Sequence, residues 1–430
     1  MGAEQTHSET CWPACEFISR TMRIAYLTSR LPYPPIGGDR VRSYHFLLHL
    51  LRSHQVTVYA IASPLSNETP DGNWQLPGLN QNLFRIPRLG YVRNACEGVF
   101  SGLPLQVELY KSNELSRSLA QDIKQGNVDV ILTHLVRMAE YARPFRELPR
   151  ILDMTDSIHL HYARMPNFSL QPRRLATRVE RNRLQKYETA ICSWFDNVLL
   201  TSPLDIAWLR RWHPGANLTL VPTGIEISSF PFHEGPYDPN RIVFVGKLDY
   251  LPNTDAAIYF AREILPRVRR AVPKAELAVV GWNPPRTVRR LARLPSVRVL
   301  ANVPDVRPEL EKSAVSVAPM RFGAGIQVKV LESLALGTPT VVTESVFGAF
   351  CEGGKEAILV GRDADEFAGH VVNILQDAAY REQLRRAGRR LIETRFQWSQ
   401  VLAPLDRVLD DIAKRRPERK PASSVKVEAS

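Results

Sequence analysis

The sequence predicts an α/β protein built from two doubly wound domains. Three observations carry this expectation. Short β-branched runs alternate with amphipathic stretches through both halves of the chain, as parallel sheets assembled from βαβ units require. The 430 residues exceed what one hydrophobic core usually supports, and a 44% hydrophobic content suffices for two. Residues 321–342, R-F-G-A-G-I-Q-V-K-V-L-E-S-L-A-L-G-T-P-T-V-V, join a glycine-punctuated loop to a helix and then to a buried strand. A helix start aimed at a ligand between strands belongs to this fold class.

In chain order, residues 1–21 are polar, with Glu4, Glu9 and Glu16, and lack the basic start and apolar middle of a secretory signal, so they are expected to be disordered. Folded sequence begins at Met22, itself a candidate start of translation. Arg23 to Ser29 reads as a buried strand, Gly37 and Gly38 as the loop after it, Arg40 to Leu51 as a helix and His54 to Ala60 as a second strand. Paired glycines at a strand's carboxyl end stand where doubly wound sheets bind ligands. Val128 to His134 and Arg150 to Asp156 are two further strands with polar ends, which brings His134, Asp153 and Asp156 toward the cleft. Asp156 is preferred because it lies beyond the apolar run, and His134 also fits a solvated or capping role. Pro172 to Trp194 forms a basic helix carrying Arg173, Arg174, Arg178, Arg181, Arg183 and Lys186, with Leu175, Val179, Leu184 and Tyr187 as its apolar positions. It reads either as a solvated covering helix or as a cationic face for anionic lipid. Asp196 to Leu200 and Leu218 to Val221 are short strands.

The second half repeats the alternation, with strands expected at Arg241 to Asp249, Glu276 to Gly281, Val297 to Leu300, Ala314 to Pro319 and Pro339 to Val342. Gly246 and Lys247 close the first of these; Gly281 and Trp282 close the second at the cleft edge, where the base of a nucleotide can rest. Gly323 and Gly325 permit positive φ and close backbone approach, so the N–H groups of Gly325, Ile326 and Gln327 can face an anion at the positive end of the next helix. Lys329 and Glu332 follow in its first turns, Leu331, Leu334 and Ala335 give it an apolar stripe, and Gly337 supplies the left-handed residue that stops it.

The run G-x-G-I-x-x-K-V-L-E-x-L-A-x-G-x-P-x-V-V resembles the donor-site signature of family-4 retaining glycosyltransferases, the group 1 glycosyl transferases. Ala324 stands where many members carry the first Glu of a pair, as in the subgroup with G-A-G-I before K-V-L-E. Pro222 to Glu226 resembles the family's V-P-x-G turn, and Phe396 to Trp398 its terminal F-x-W. The resemblance spans residues 22–412 and is strongest over 241–345. It implies the GT-B fold: a Rossmann-like acceptor domain at 22–221, a Rossmann-like donor domain at 222–395, a closing helix at 396–412 that returns to the first domain, and a solvated basic tail at 413–430.

The resemblance also implies roles. Glu332 takes the ribose hydroxyls of a nucleotide-sugar, the amides of Gly325, Ile326 and Gln327 take its diphosphate, and Lys329, Gly246, Gly37 and Gly38 adjoin the same donor. Lys247 is the foremost catalytic candidate, neutralising the departing diphosphate, while Asp156, Asp153 or His134 meets the sugar or the acceptor hydroxyl. The implied activity moves a hexose from a UDP- or GDP-type donor to a lipid-linked or saccharide acceptor, with retention and with no metal or other cofactor. Alternatives are an epimerase or hydrolase of nucleotide-sugars and a non-catalytic nucleotide-binding partner of another transferase. A dinucleotide oxidoreductase fits poorly, since the first strand leads to P-P-I-G-G-D rather than G-x-G-x-x-G.

Net charge of +12 and a pI near 9.6 allow an anionic membrane surface as partner. Nucleic acid is not expected, because the basic residues are spread over both halves with no aromatic-interleaved platform. Five scattered cysteines make neither a disulfide framework nor a metal pattern, which suits a reducing cytoplasm, with the inner face of the membrane as a peripheral location. Asp363-Ala-Asp365 mimics a metal-binding D-x-D, but its place before an apolar-periodic helix explains both carboxylates as capping and dipole groups.

Overall fold

The computed structural model describes residues 21–35, 37–62, 76, 78–164, 171–323, 325–350 and 354–415, the side chains of 171–175 excepted. The expected extension up to residue 20, the tail from 416, Ala324, Cys11, Cys15, Cys351 and the side chains of Arg173 and Arg174 lie outside these residues.

Among the described residues the strands are β1 (Arg23–Thr28), β2 (Gln55–Ala62), β3 (Leu79–Arg85), β4 (Val130–His134), β5 (Arg150–Thr155), β6 (Asn197–Leu200), β7 (Leu218–Leu220), β8 (Asp238–Lys247), β9 (Glu276–Trp282), β10 (Val297–Ala301), β11 (Ser313–Ala318), β12 (Thr340–Thr343) and β13 (Ile358–Gly361). They form a seven-stranded sheet in the order β3-β2-β1-β4-β5-β6-β7 and a six-stranded sheet in the order β10-β9-β8-β11-β12-β13. Every pairing is parallel. Helices cover the faces, so central strands such as β4 and β11 are buried along their whole length, which is why they read as continuous apolar runs.

In each sheet the chain reverses direction between the first strand and the fourth, β1 beside β4 and β8 beside β11. These two switch points are where a doubly wound sheet opens a crevice at its carboxyl ends. The loop after β1 leads to the helix Gly38–Leu50, and the loop after β11 to the helix Val328–Leu336. A methyl placed on Gly38 would lie 3.9 Å from Val328 Cγ2, so the two loop-to-helix turns meet across the cleft.

The chain end returns to the first domain. Ile225 N–H donates to Phe396 O at 2.7 Å, the His45 ring stacks on Trp398 at 4.5 Å, and His49 Nε2 lies 2.6 Å from Asp406 Oδ1. Gly224 is required there, since a Cβ would fall 2.8 Å from Trp398 Cδ2.

Three details depart from the sequence reading. β3 was not expected: L-N-Q-N-L-F-R is a half-exposed edge strand with two asparagines, poor in the β-branched residues that mark a strand. β13 was not expected either: I-L-V-G is a short run that ends at the Asp363 cap of the following helix. Val179 does not join the buried stripe of its helix, Gln171–Ile191, but is 43% exposed, while Leu184 and Tyr187 are buried as read. Asp363 accepts from the N–H groups of Asp365 and Glu366, both at 2.9 Å, and so caps the helix Ala364–Gln376, as the sequence indicates.

Candidate active site

The second domain contributes a cation and a carboxylate on one helix. The Val328–Leu336 helix starts at Gln327 with no side-chain cap, leaving first-turn N–H groups directed at the cleft. Its other end stops at Gly337 in the left-handed conformation, as the sequence predicts. Lys329 lies beneath the end of β8: Nζ donates to Asn253 Oδ1 at 2.5 Å and stands 4.8 Å from the Phe244 ring centre. Gly246 makes room for it, because a Cβ there would fall 3.1 Å from Lys329 Nζ and 2.9 Å from Asn253 Nδ2. Gly281, paired with Gly246 across the sheet, has no room for a side chain either; its Cβ would meet Gly246 O at 1.7 Å. Both glycines therefore bring bare backbone to the cleft wall.

Although half-buried, Lys329 is crowded by protein atoms, and this desolvation pulls its ammonium down to about 7. Glu332, one turn on, is pushed up to about 7 by burial, against the opposing pull of Lys329. Burial thus holds an acid and a base on one helix turn near neutrality, a pattern that marks a candidate functional site.

The first domain contributes a buried ionic triad. Arg42 and Asp153 are fully buried, with Arg42 Nη2 at 2.7 Å and Nε at 2.9 Å from the two carboxylate oxygens. His134 Nδ1 lies 2.8 Å from Asp153 Oδ2, and its Nε2 is buried without a hydrogen-bond partner among the described residues. Burial by itself would raise the Asp153 carboxyl; Arg42 and His134 overcome that and hold it at about 2. Asp153 thus sits inside the domain rather than at the cleft surface expected from its strand-end position. A carboxylate with no exposed surface and both oxygens engaged orients His134 instead of meeting a substrate. The remaining free atom of this triad is His134 Nε2.

Asp156 reaches the cleft through a local distortion. The β5–β6 register shifts between Asp153 and Thr155, and Thr155 takes φ of 68°, a conformation a β-branched residue rarely adopts. The shift turns Asp156 toward the Gly325 loop of the second domain, while its Oδ1 accepts from Thr201 Oγ1 of the first domain at 2.7 Å. Burial and the neighbouring Asp205 push its carboxyl up to about 7.

The Gly325 loop closes directly onto these carboxylates. Gly325 has φ of 66°, and a Cβ there would fall 1.9 Å from Asp156 Oδ1. Its N–H is bonded to Asp205, which also accepts from Ser157 N–H at 2.9 Å. Arg164 Nη1 donates to Gly323 O at 3.4 Å, and the His161 ring stacks on Tyr250 at 6.0 Å, adding contacts between the domains. Replacing Gly325 by alanine adds a steric clash to a left-handed strain of about 1–2 kcal/mol. Calorimetric titration of that variant is expected to show nucleotide affinity lowered at least tenfold, and unchanged affinity would remove the loop from the site.

The other expected residues fall as follows. Ile326 is buried and Gln327 half-buried in the same loop, and Gly37 precedes the 38–50 helix. Lys247 is largely exposed at 68%, with Nζ 3.8 Å from Asp249 Oδ1. Trp282 is 57% exposed at the end of β9, beside Gly281. The sequence reading missed Arg42, Asn253, Thr201 and Asp205. Of these only Asp205 carried a local signal, T-S-P-L-D, in which Ser202 caps the helix Pro203–Arg210 and Asp205 sits in its first turn.

Two parallel doubly wound sheets whose switch-point loops meet across a cleft, with a returning C-terminal helix, define the GT-B fold. Solved structures with this fold agree over nearly the whole chain. Sucrose-phosphate synthase from Thermosynechococcus elongatus superposes with a TM-score of 0.67 at 20% identity, covering 91% of this chain and 99% of that one. The trehalose-6-phosphate protein from E. coli bound with UDP-2-fluoro glucose gives 0.64 at 13% identity, covering 92% and 100%. Anabaena HepE in complex with UDP and glucose gives 0.60 at 10% identity, covering 90% and 99%. Within the fold the family is more specific: residues 239–377 match the family described as Glycosyl transferases group 1. Glycogen synthase from Mycobacterium tuberculosis (strain H37Rv) is 26% identical over 221 residues, 48% of this chain and 51% of that protein. The chain thus spans about half the length of the curated relatives it matches. Residues 239–377 of the second domain thus resemble a group 1 glycosyl transferase, within a chain that has the GT-B fold.

Proposed function

We propose that the protein transfers a hexose from a nucleoside diphosphate sugar to an acceptor hydroxyl, with retention of anomeric configuration and without a metal. The observation that supports this most is the Val328–Leu336 helix, which presents uncapped amides, Lys329 and Glu332 to one face of the cleft. A diphosphate fits the amides and the ammonium, and ribose hydroxyls fit the carboxylate. As the bond to the sugar breaks, negative charge develops on the diphosphate, and fixed donors in a closed cleft stabilise it without reorganising. Lys329 and the helix start supply those donors, and Lys247 can join them from the β8 end.

The acceptor hydroxyl then attacks the oxocarbenium-like carbon from the face the diphosphate leaves, and the leaving phosphate oxygen takes its proton. On the first-domain side Asp156 is the candidate to hold a sugar or acceptor hydroxyl, and His134 can do so only where its buried Nε2 becomes accessible. Closure of the Gly325 loop on the first domain keeps water out. The uridine diphosphate ligands of two fold relatives favour a UDP-sugar donor. A lipid-linked or saccharide acceptor, a cytoplasmic location and contact with an anionic membrane through the basic helix 171–191 complete the reading.

The test is calorimetric and thermal-shift titration with UDP, GDP, ADP and their sugar conjugates, with and without EDTA, on the native protein and on Glu332→Ala. One nucleotide should bind regardless of chelator, and the substitution should weaken it about tenfold to a hundredfold, as loss of hydrogen bonds to a charged group does. No nucleotide binding under any condition would sink the proposal.

A further inference from the structure

The helix Arg88–Phe100 is inverted. Its inward face carries Asn94 and Gly98, both buried, and Asn94 Nδ2 donates to Lys111 O at 3.0 Å. Its outward face carries Leu89, Val92, Cys96, Val99 and Phe100, which recur at helical spacing along one stripe. Leu89 is 82% exposed and Phe100 89%. A lone exposed leucine needs no explanation; an apolar stripe along the solvent side of a helix whose polar residue points inward does.

The surroundings identify what covers it. Arg85, Arg88 and Arg93 are exposed on and beside this helix. Arg183 of the 171–191 helix donates to Gly98 O at 2.8 Å and Val99 O at 2.7 Å, which brings a fourth guanidinium to its end. One turn before Arg183, exposed Val179 extends the apolar stripe, near exposed Leu105. Against these stand Glu97, paired with Arg93 at 3.6 Å, and Glu180, tied to Leu105 N–H at 2.9 Å. Apolar side chains on a convex helix with arginines at their flanks match the boundary between acyl chains and anionic headgroups. A stripe one helix wide falls short of the roughly 20 to 30 residues per side that a stable protein interface uses. No described helix is long and apolar enough to cross a membrane, so the contact lies on the surface of the bilayer.

We infer that the Arg88–Phe100 helix is the membrane-docking element, inserting Leu89, Val92, Val99 and Phe100 into an anionic bilayer while its arginines meet the headgroups. This rests on the membrane reading proposed above and relocates the contact: Arg183, expected to be part of a free cationic face, is instead folded against this helix. The helix follows the carboxyl end of β3, the edge of the sheet that faces the cleft, so docking here brings the cleft to the lipid surface.

Co-sedimentation of the full chain with vesicles decides it, comparing pure phosphatidylcholine with equal parts phosphatidylglycerol and phosphatidylcholine. Native protein is expected to partition to the anionic vesicles only. Leu89→Ser with Phe100→Ser should lower partition at least about tenfold, and Arg88→Ala with Arg93→Ala about fivefold per arginine. Both variants should leave the unfolding temperature and nucleotide affinity unchanged, because these side chains are exposed and away from the cleft wall. Loss of binding from Arg178→Ala with Lys186→Ala, but not from the Leu89 and Phe100 pair, would overturn the assignment while keeping a membrane contact. No binding to either vesicle would end both. Light scattering that shows a dimer split by the Leu89 and Phe100 pair would make a second copy the occupant and overturn the proposal.

Discussion

Replacing Lys329 by alanine is expected to lower turnover by about a hundredfold to a thousandfold, the range for removing one fixed donor to a developing anion. The group is costly to keep as a cation in the free protein, where burial pulls it down to about 7. On the proposed function a bound diphosphate would offset that cost, which would concentrate charge stabilisation where negative charge appears. Lys247→Ala is expected to do less, since its ammonium is mostly solvated and near Asp249. If Lys247→Ala proved the more damaging of the two, the exposed lysine would be the principal cation.

On the proposed function the same groups would give donor binding a pH dependence with two opposing limbs. Above about pH 7 the free Lys329 is neutral, and binding a diphosphate requires it to take up a proton, so affinity falls as pH rises. Below about pH 7 the free Glu332 is protonated, and accepting hydrogen bonds from ribose hydroxyls requires it to release a proton, so affinity falls as pH drops. Affinity measured by calorimetry should therefore peak near neutrality. In Lys329→Ala the alkaline limb should disappear while the acidic limb remains.

Arg42→Ala is expected to destabilise the protein by about 3–5 kcal/mol, because it leaves the Asp153 carboxylate buried and without its main counter-charge. Arg42 also donates to Pro222 O at 3.1 Å, at the start of the linker to the second domain, so the loss should loosen the closed arrangement as well. Urea denaturation measures the effect, and adding Asp153→Asn should restore part of it by removing the stranded charge. In the native protein the folded carboxyl of Asp153 titrates at about 2, below its ordinary value of 3.8. Its contribution is fully present above pH 4, and is lost as pH falls through about 2. A small effect of Arg42→Ala at neutral pH would mean that the triad is not held by its charges.

The fold was largely legible because a parallel sheet buries its central strands on both faces, and such strands announce themselves as short apolar runs between amphipathic helices. Edge strands β3 and β13, half-exposed or very short, do not. The candidate site on the second domain was legible for a similar reason: the Gly325 loop, Lys329 and Glu332 lie within eight residues of one another, and local geometry sets their relation. His134 and Asp153 could be seen as strand ends but not as partners. They are 19 residues apart, and only the β4–β5 register sets them side by side.

What the sequence determined, then, is most of what is decided within a few residues: the buried strands, the helix ends capped by Gly337 and Asp363, the glycines where backbone must come close. What the tertiary structure alone decided is which charges meet. Arg42 and Asp153 are 111 residues apart and pair because two elements pack. Asp156 and Asp205 reach Gly325 because two domains close. The apolar face of the Arg88–Phe100 helix points outward because its partners claim the polar side. The reason is physical: periodicity reports how a segment is divided into faces, while the direction each face takes is set by packing between segments distant in sequence.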